Sequence, residues 1–565
     1  MMAQSQIRRC EVLVVGAGPA GLATAHWLRT WGIDVVVVER RTAPREHPQA
    51  TMVNTRTTEI LRFLGLSDPV LAESTTLESS SRVTFLAALA GTEVGRIEII
   101  PTTDKLMDFA RQSPTLPVIC PQRRLQQVMA RSLGPTVDLL PGCEATAIAV
   151  TGDTVRVDCV DADSEKLYRF ESDFVVLADG LHSGLREQVG IGTQAGPQLG
   201  TMLDIHFTGD LRKLTADRES VLYWILHPKV SGVLITVSPD VGDWLLEVPL
   251  AAGAAWDPLR SDHLGLLRTA IGADVDVAVR GSRTWSMGST MALGWADATN
   301  RVFVIGDSAH TFAPTGGFGM NTGIQDGHNL AWKIAGVLRG WAARSLVGSY
   351  ETERRPVAEF NARRSADNAR AMWALLSRAA PLMAGPARRD EVGAKLSGEI
   401  AGQRPHFDFS GQALGFRYGS DPVVSDVVTY LPEVTSGARA PHFWLDGERS
   451  RVSTLDLTTT SFGLFTGSAA AAEWADAAGY VQVVGSAPLN HYAVFDRARP
   501  SAGAMSDPTG AMLAAYGITG RAAVLVRPDG HTCAVLPGAD PHRELIDAIT
   551  EFTTTGFGMK EEVQL

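Results

Sequence analysis

The amino-acid sequence predicts a mixed α/β protein in three parts: a parallel-sheet domain, an antiparallel sheet inserted into it, and a smaller α/β domain towards the C-terminal end. Three observations lead there. Residues 10–39 read as strand, glycine-rich turn, helix and second strand. Between Thr201 and Pro249 four β-rich runs follow one another, spaced by turn residues. The last stretch of the chain has a β-α-β…β-β-α order. At 565 residues, 45% hydrophobic and 20% charged, the chain has room for two to four domains of ordinary globular composition.

The first unit is the most explicit. Cys10–Val15 is an apolar strand, Gly16-Ala17-Gly18-Pro19-Ala20-Gly21 opens a helix running to Trp31, and Val35–Val38 forms a strand ending at Glu39. Gly16 permits the tight turn, Gly18 lets a pyrophosphate approach the backbone, and Gly21 lets helix and strand pack. Glu39, 18 residues beyond Gly21, can accept hydrogen bonds from a ribose, and an acid there favours an unphosphorylated adenosine ribose. This is a Rossmann-like dinucleotide-binding unit.

A second glycine-rich turn lies far along the chain. Val302–Ile305 reads as a buried strand that breaks at Gly306-Asp307, which puts Asp307 in the crevice where α/β sheets bind ligands. Pro314, Gly316, Gly317 and Gly319 form a backbone that a ligand can approach closely, and Asn321–Leu338 reads as a helix whose N-terminus would favour an anion. Ala147–Leu177 holds three strand-like runs, the last closed by Asp179-Gly180, with Ser183 and Arg186 on the next turn. Gln122, Arg123 and Arg124 open another helix.

The runs LDIHFTG, VLYWILHP, GVLITVSP and WLLEVPL, with Val275–Met287, form an antiparallel sheet that walls a bound substrate. Tyr223, Trp224 and Trp244 are its candidate substrate contacts, set against a core role for aromatics on strands. Leu346–Leu376 is a long charged helix, and Gly, Pro and Arg between Ala380 and Asp421 suggest a boundary. The element order beyond it suits a thioredoxin-like fold, yet Cys533 is its only cysteine, so dithiol exchange is not expected.

Composition excludes several classes. Lys+Arg 51 against Asp+Glu 62 gives a net charge of -11, which offers nothing to nucleic acid or an anionic membrane surface. Cys10, Cys120, Cys143, Cys159 and Cys533 form no metal-ligand pattern and read as buried, reduced thiols, so no metal is expected. No apolar run is long enough to span a membrane, and Met1–Cys10 lacks a signal-peptide core, so the default location is the cytoplasm.

The three motifs in order, GAGPAG with Glu39, DGLHSGLR at 179–186 and GDSAHTFAPTGGFGMN at 306–321, resemble those of the FAD-dependent aromatic hydroxylases, single-component flavoprotein monooxygenases of the p-hydroxybenzoate hydroxylase type. NTRTTEILRFLGL, PQRRL, NLAWKIAG and SYETERRPVA add to the likeness, which covers residue 10 to about 375. The C-terminal region resembles the redox-inactive thioredoxin-like domain of the phenol and polyketide hydroxylase branches. The resemblance implies FAD-binding segments at 1–80, 119–198 and 294–400, substrate-sheet segments at 81–118 and 199–293, a linker at 401–435 and a thioredoxin-like domain at 436–565.

It further implies non-covalent FAD: Gly16, Gly18, Pro19, Ala20 and Gly21 at the pyrophosphate, Glu39 with Arg40 at the adenosine ribose, Gln122 and Arg123 near the ribityl chain. Asp307 would hold a ribityl hydroxyl. Gly306, Pro314, Gly316, Gly317, Gly319, Met320 and Asn321 would line the flavin ring, and Asp179 to Arg186, with Gly180, would serve FAD and the incoming nicotinamide nucleotide. In that family NADPH or NADH reduces the flavin, O2 adds to give a C4a-hydroperoxide, and an electron-rich ring takes the distal oxygen. With one nucleotide fingerprint in the chain, NADPH must use a shared groove, for which Arg40, Arg41, Arg45 and Arg186 are the candidate phosphate contacts. The implied substrate is a phenolic or polycyclic aromatic secondary metabolite, and a homodimer is admitted without being fixed.

Two departures stand out. Gln49 occupies the usual arginine of a Pro-Arg-Ala triplet, with Arg45 or Arg56 as replacements, and Ala313 stands where the family often has a proline. Among His206, His227, His310 and His328 none can be singled out as a substrate base. A Baeyer–Villiger enzyme would need a second fingerprint and a flavin halogenase a Trp-x-Trp pair, and both are missing. An epoxidase, a ring-cleaving oxygenase or a non-catalytic flavoprotein binding an aromatic ligand stay open.

Overall fold

The computed structural model describes residues 6–76, 81–99, 103–250, 262–384, 389–421, 423–447, 450–485, 487–496 and 504–556. The signal-peptide reading of Met1–Cys10, the 81–118 and 199–293 segments, the boundary after Ala380 and the 436–565 domain each fall partly outside those residues. Among the described residues no helix is long and apolar enough to cross a membrane.

The first domain is organised on a seven-stranded sheet. Val137–Pro141, Val35–Glu39, Gln6–Val15, Leu167–Leu177 and Val302–Val304 run parallel, and Thr154–Asp161 and Cys143–Thr151 extend it antiparallel. Val12, Leu13 and Val14, like Val175, Val176 and Leu177, are fully buried, as strands covered on both faces must be. The helix Pro19–Thr30 and the helix Phe318–Leu338 pack together on it. The second of these starts at Phe318, three residues before the Asn321 read from sequence, because Gly317 adopts a left-handed φ of 70° and starts the helix itself.

The inserted sheet runs in the order Val277–Met287, Gly200–Gly209, Asp243–Leu250, Ser231–Ser238, Leu222–Leu226, Arg82–Leu86, Glu93–Glu98. Its pairings are antiparallel except one: Leu222–Leu226 lies parallel to Arg82–Leu86, where two separate chain segments meet. Alternation splits its side chains cleanly. Leu203, Ile205, Phe207, Tyr223, Trp244 and Leu246 go to one face with the helix His263–Ile271. Val83, Phe85, Met202, Trp224 and Val233 go to the other, against the long helix Ser349–Ala384.

The C-terminal sheet has the order Arg451–Ser453, Trp444–Asp446, Met505–Ser506, Leu489–Phe495, Phe462–Gly467, Ala523–Val526, Thr532–Leu536. Phe462–Gly467 pairs parallel with Leu489–Phe495 and antiparallel with Ala523–Val526, flanked by helices Ala471–Gly485 and Pro541–Thr554. The boundary expected after Ala380 is instead largely ordered structure. The helix Ser349–Ala384 runs beyond Ala380, Arg389–Gly402 is helical, and its Val392, Leu396 and Ile400 join the inserted sheet's core.

Candidate active site

The parallel strands ending at Val15, Glu39, Leu177 and Val304 all deliver their carboxyl ends to one continuous cavity of about 1140 Å³. Drug-sized pockets run to roughly 1,000 Å³, so there is space for a dinucleotide with a second molecule beside it. One end is nucleotide-like. Gly16 holds φ of 105°, and a Cβ there would come within 2.3 Å of the Ala178 carbonyl oxygen. A Cβ on Gly18 would meet nothing within 4 Å, so its backbone is open to a ligand. Gly21 is not at the surface of the cavity; a Cβ there would lie 2.0 Å from the Gly16 oxygen, so it serves close packing beneath the turn.

Pro19–Thr30 and Phe318–Leu338 both begin at this cavity, behind Gly18 and Gly317, and neither has a side-chain cap. Their first N–H groups are therefore available to an anion. Glu39 lines the cavity with one carboxylate oxygen accepting from the Ala17 N–H at 2.8 Å and the other from the Arg41 N–H at 2.9 Å. Gln122 also lines it, donating to Gln49 Oε1 at 3.0 Å, so the residue in the arginine's place is tied into the wall. Gln126, which sequence reading passed over, lines it too and donates to the Ala17 carbonyl at 3.1 Å; its i,i+4 spacing from Gln122 was the available signal.

The GD turn is held from beneath. Asp326 accepts from Gly306 N–H at 3.2 Å and from Arg354 Nε at 2.9 Å, and its Oδ2 lies 2.6 Å from His310 Nε2. Burial would raise that carboxyl, but His310 and Arg354 outweigh it and hold it below the ordinary value. Asp307 is thereby aimed into the cavity, where burial raises its pKa against the opposing pull of His310 and Arg45. Asp179 accepts from Ser308 Oγ at 2.9 Å, and Ser308 Oγ accepts from the Gly180 N–H at 2.8 Å, which ties the second motif to the third. Burial also raises Asp179. Pro19, Ala20, Arg40, Asp179, Gly180, Gly306, Pro314, Gly316, Gly317, Gly319 and Met320 all line the cavity.

Several expected site residues lie elsewhere. Arg186 is buried, donating to the Ser308 carbonyl at 2.7 Å and to that of Leu181 at 3.4 Å, so it braces the turn and is not presented to a nucleotide phosphate. Arg123 projects outward from its helix and does not line the cavity. The Asn321 side chain is fully buried and clamps the ring-side helix, accepting from Asn54 N–H at 2.9 Å and donating to the Met52 carbonyl at 2.9 Å. Tyr223 and Trp244 are on the far face of the inserted sheet, their rings 6.4 Å apart; only Trp224, one residue along and so on the opposite face, reaches the cavity.

Arg56 cannot replace the missing arginine. It is buried between Glu59 and the Asp529 carbonyl, whereas Arg45 stands at the cavity. His206, His227, His310 and His328 are absent from the cavity wall, which instead has His182 and His406; burial lowers His406 to about 4. His406, Phe407 and Phe409 come from the stretch read as a linker, a contribution that no local pattern announced. All five cysteines are buried and free, and no metal-ligand cluster exists among the described residues.

An open Gly18, two uncapped helix N-termini and an acid at the end of the second parallel strand together define a dinucleotide-binding site, and the cavity continues from it under the apolar wall of the inserted sheet. Residues 9–365 match the model of the FAD binding domain family, and residues 433–555 match that of the aromatic-ring hydroxylase C-terminal domain. A putative polyketide hydroxylase of Streptomyces halstedii is 33% identical over 93% of each chain. The 2,4-dichlorophenol 6-monooxygenase of Cupriavidus pinatubonensis is 31% identical over 95% of each. The flavin-dependent monooxygenase PieE, solved with FAD and substrate, superposes with a TM-score of 0.87 at 27% identity, over 97% of this chain and 99% of that one. The chain belongs to the FAD-dependent aromatic-ring hydroxylases; it is an enzyme, and FAD is its cofactor.

Proposed function

We propose that the protein is an NAD(P)H- and O2-dependent monooxygenase that hydroxylates a phenolic or polycyclic aromatic substrate. The observation that carries this is the lining of the cavity beyond the Pro314–Gly317 backbone. There it runs under the inserted sheet and is walled by Met202, Trp224, Val233, Ile235 and Met287, an apolar space suited to aromatic rings. Bound FAD supplies the oxidising chemistry, taking hydride from the nicotinamide and activating O2.

The protein's own residues bind, orient and exclude water. The Gly16–Gly18 turn and the N-terminus of Pro19–Thr30 hold the pyrophosphate, Glu39 the adenosine ribose, and Gln122 and Asp307 the ribityl chain. The Gly316–Met320 backbone cradles the ring. Arg40, Arg41 and Arg45, at the mouth beside Glu39, meet the phosphates of NADPH in place of a second nucleotide domain. The C-terminal domain, thioredoxin-like in element order but with Cys533 as its one, buried thiol, has a structural role. The likeness to a polyketide hydroxylase favours a polycyclic substrate over a single ring.

The test is to screen simple phenols and hydroxylated polycyclic quinones for stimulated NADPH oxidation, with mass spectrometry of the product. Gain of one oxygen atom from O2 is the expected result. NADPH oxidation that no aromatic ligand alters, with only hydrogen peroxide formed, would overturn it.

A further inference from the structure

One row of side chains crosses the inserted sheet at right angles to its strands: Arg283, Asp204, Glu247, Val233 and Trp224, each the register partner of the next. Register partners on neighbouring strands share a face. Arg283, Glu247, Val233 and Trp224 accordingly line the cavity, with Asp204 fully buried behind them. The adjoining rows bring Met202, Leu222, Ile235 and Leu245 to the same wall. Arg283 and Glu247 are thus a charged spot in an otherwise apolar chamber.

The two carboxyl groups of the row are in different situations. Asp204 is satisfied by donors: Trp285 Nε1 at 2.7 Å, Arg283 Nε at 2.9 Å and His47 Nε2 at 3.2 Å. Glu247 has no hydrogen-bond partner among the described residues and faces the space a substrate would fill. Burial first, then the neighbouring Asp204 carboxylate, against the opposing pull of Arg283, raise Glu247 above the ordinary carboxylate value. On its other side Val233 brings no charge. His47, from the loop after Glu39, reaches the group only through Asp204. Arg283 is committed to Asp204 through Nε, which leaves its terminal nitrogens for the cavity.

We propose that Glu247 is the base of the substrate site, taking the proton from a ring hydroxyl of the substrate while Arg283 holds the resulting phenolate oxygen. This rests on the reading of the substrate as a hydroxylated aromatic. In the step the O–H bond breaks, its electron pair stays on oxygen and enriches the ring, and the proton moves to a Glu247 oxygen. It leaves again to water or to the product oxygen when the ring regains aromaticity. No oxidant enters this step. A carboxyl whose pKa is raised holds a proton more tightly than an ordinary one, which suits it to take a proton from a phenol. The row also states a specificity: the preferred substrate is one whose hydroxyl reaches the Arg283–Glu247 pair while its ring lies beneath Val233 and Trp224.

The test uses the FAD-loaded wild type and Glu247→Gln, with 2,4-dichlorophenol and 1,8-dihydroxyanthraquinone as probes. The readouts are product formation against pH and the phenolate absorbance of the bound probe. The variant is expected to keep its FAD and its melting temperature but to lose roughly 100-fold or more in product formation near neutrality. Activity should return as rising pH ionises the probe unaided, and Glu247→Asp should restore part of it. In the wild type the bound probe should ionise at lower pH than in water; Glu247→Gln, which keeps the Arg283 charge, should slow that ionisation, and Arg283→Met should remove the shift. A wild type that binds the probe in its neutral form on both sides of neutrality overturns the proposal whatever the variants do, as does a Glu247→Gln enzyme with the wild-type pH profile. If neither probe stimulates NADPH oxidation or gains oxygen in the wild type, the hydroxylase reading itself fails, and Glu247 falls with it.

Discussion

At the scale of single residues, Asp307 and Gly18 offer the sharpest tests of the cofactor site. Asp307 is aimed into the cavity by a turn that Asp326 holds from below, so its carboxylate is placed without being used in the fold. Asp307→Ala should weaken FAD retention by about 1.5–3 kcal/mol, the worth of a hydrogen bond to a charged group, with little change in apoprotein melting; fluorescence titration of the apoprotein with FAD checks this. Gly18 has extended backbone and open space where a side chain would go. Gly18→Val should therefore leave a folded apoprotein that no longer takes up FAD. Gly16→Ala, by contrast, should destabilise the fold itself, because its Cβ would strike the Ala178 carbonyl. Thermal melts of both variants with and without FAD separate a ligand-facing glycine from a packing one.

At the scale of elements, the loop leaving the strand Val35–Glu39 carries Arg40, Arg41 and Arg45 along the cavity mouth, and Arg41 lies 3.6 Å from Glu39. Arg40 and Arg45 are exposed. Arg45→Ala should raise the KM for NADPH several-fold in FAD-saturated enzyme, with unchanged product yield from chemically reduced enzyme, measured by stopped-flow reduction. An unaltered KM would return that loop to a solubilising role. The helix Thr55–Phe63 links two domains. Capped by Asn54, it presents Arg56, Glu59 and Arg62 to the C-terminal domain, where Arg62 donates to both oxygens of Asp456 at 3.0 Å.

At the scale of the whole molecule, two buried ion clusters join the C-terminal domain to the FAD domain. Glu59 accepts from Arg439 Nε at 3.0 Å and Arg56 Nη1 at 2.9 Å. Glu353 accepts from Arg527 at 2.8 and 2.9 Å, from Lys333 at 2.8 Å and from Asn329 at 2.7 Å. Removing one partner from such a cluster leaves uncompensated buried charge, so Glu353→Leu should cost about 3–5 kcal/mol in denaturant unfolding. The pH dependence follows from the same group. Burial would raise Glu353, but Arg527 and Lys333 bring it down to about 2 from an ordinary 4.5. Its stabilisation is therefore complete above pH 4.5 and drains away as pH falls towards 2. Acid melts of wild type against the variant should converge over that interval.

Motifs whose chemistry is local could be read from the chain alone. Strand, glycine turn, helix and acid follow each other within thirty residues, and alternation along short strands announced the inserted sheet, so the parallel sheet, the cavity's nucleotide end and Asp307 were legible in the sequence. What a side chain faces across the fold was not. Tyr223 and Trp224 are adjacent and alike in composition, yet a period of two sends one to the cavity and the other to the far core. Arg186 and Asn321 belong to the signature motifs but spend their hydrogen bonds on the backbone of neighbouring turns, which only their burial reveals. His406 reaches the cavity from a stretch that looked like a linker, and Glu247 and Arg283, 36 residues apart in the chain, face the same cavity from either side of Asp204. Short-range spacing determined the cofactor end because each of its segments is a turn whose residues are neighbours in the chain. The substrate end is assembled from distant strands and a helix, so register and packing decided it.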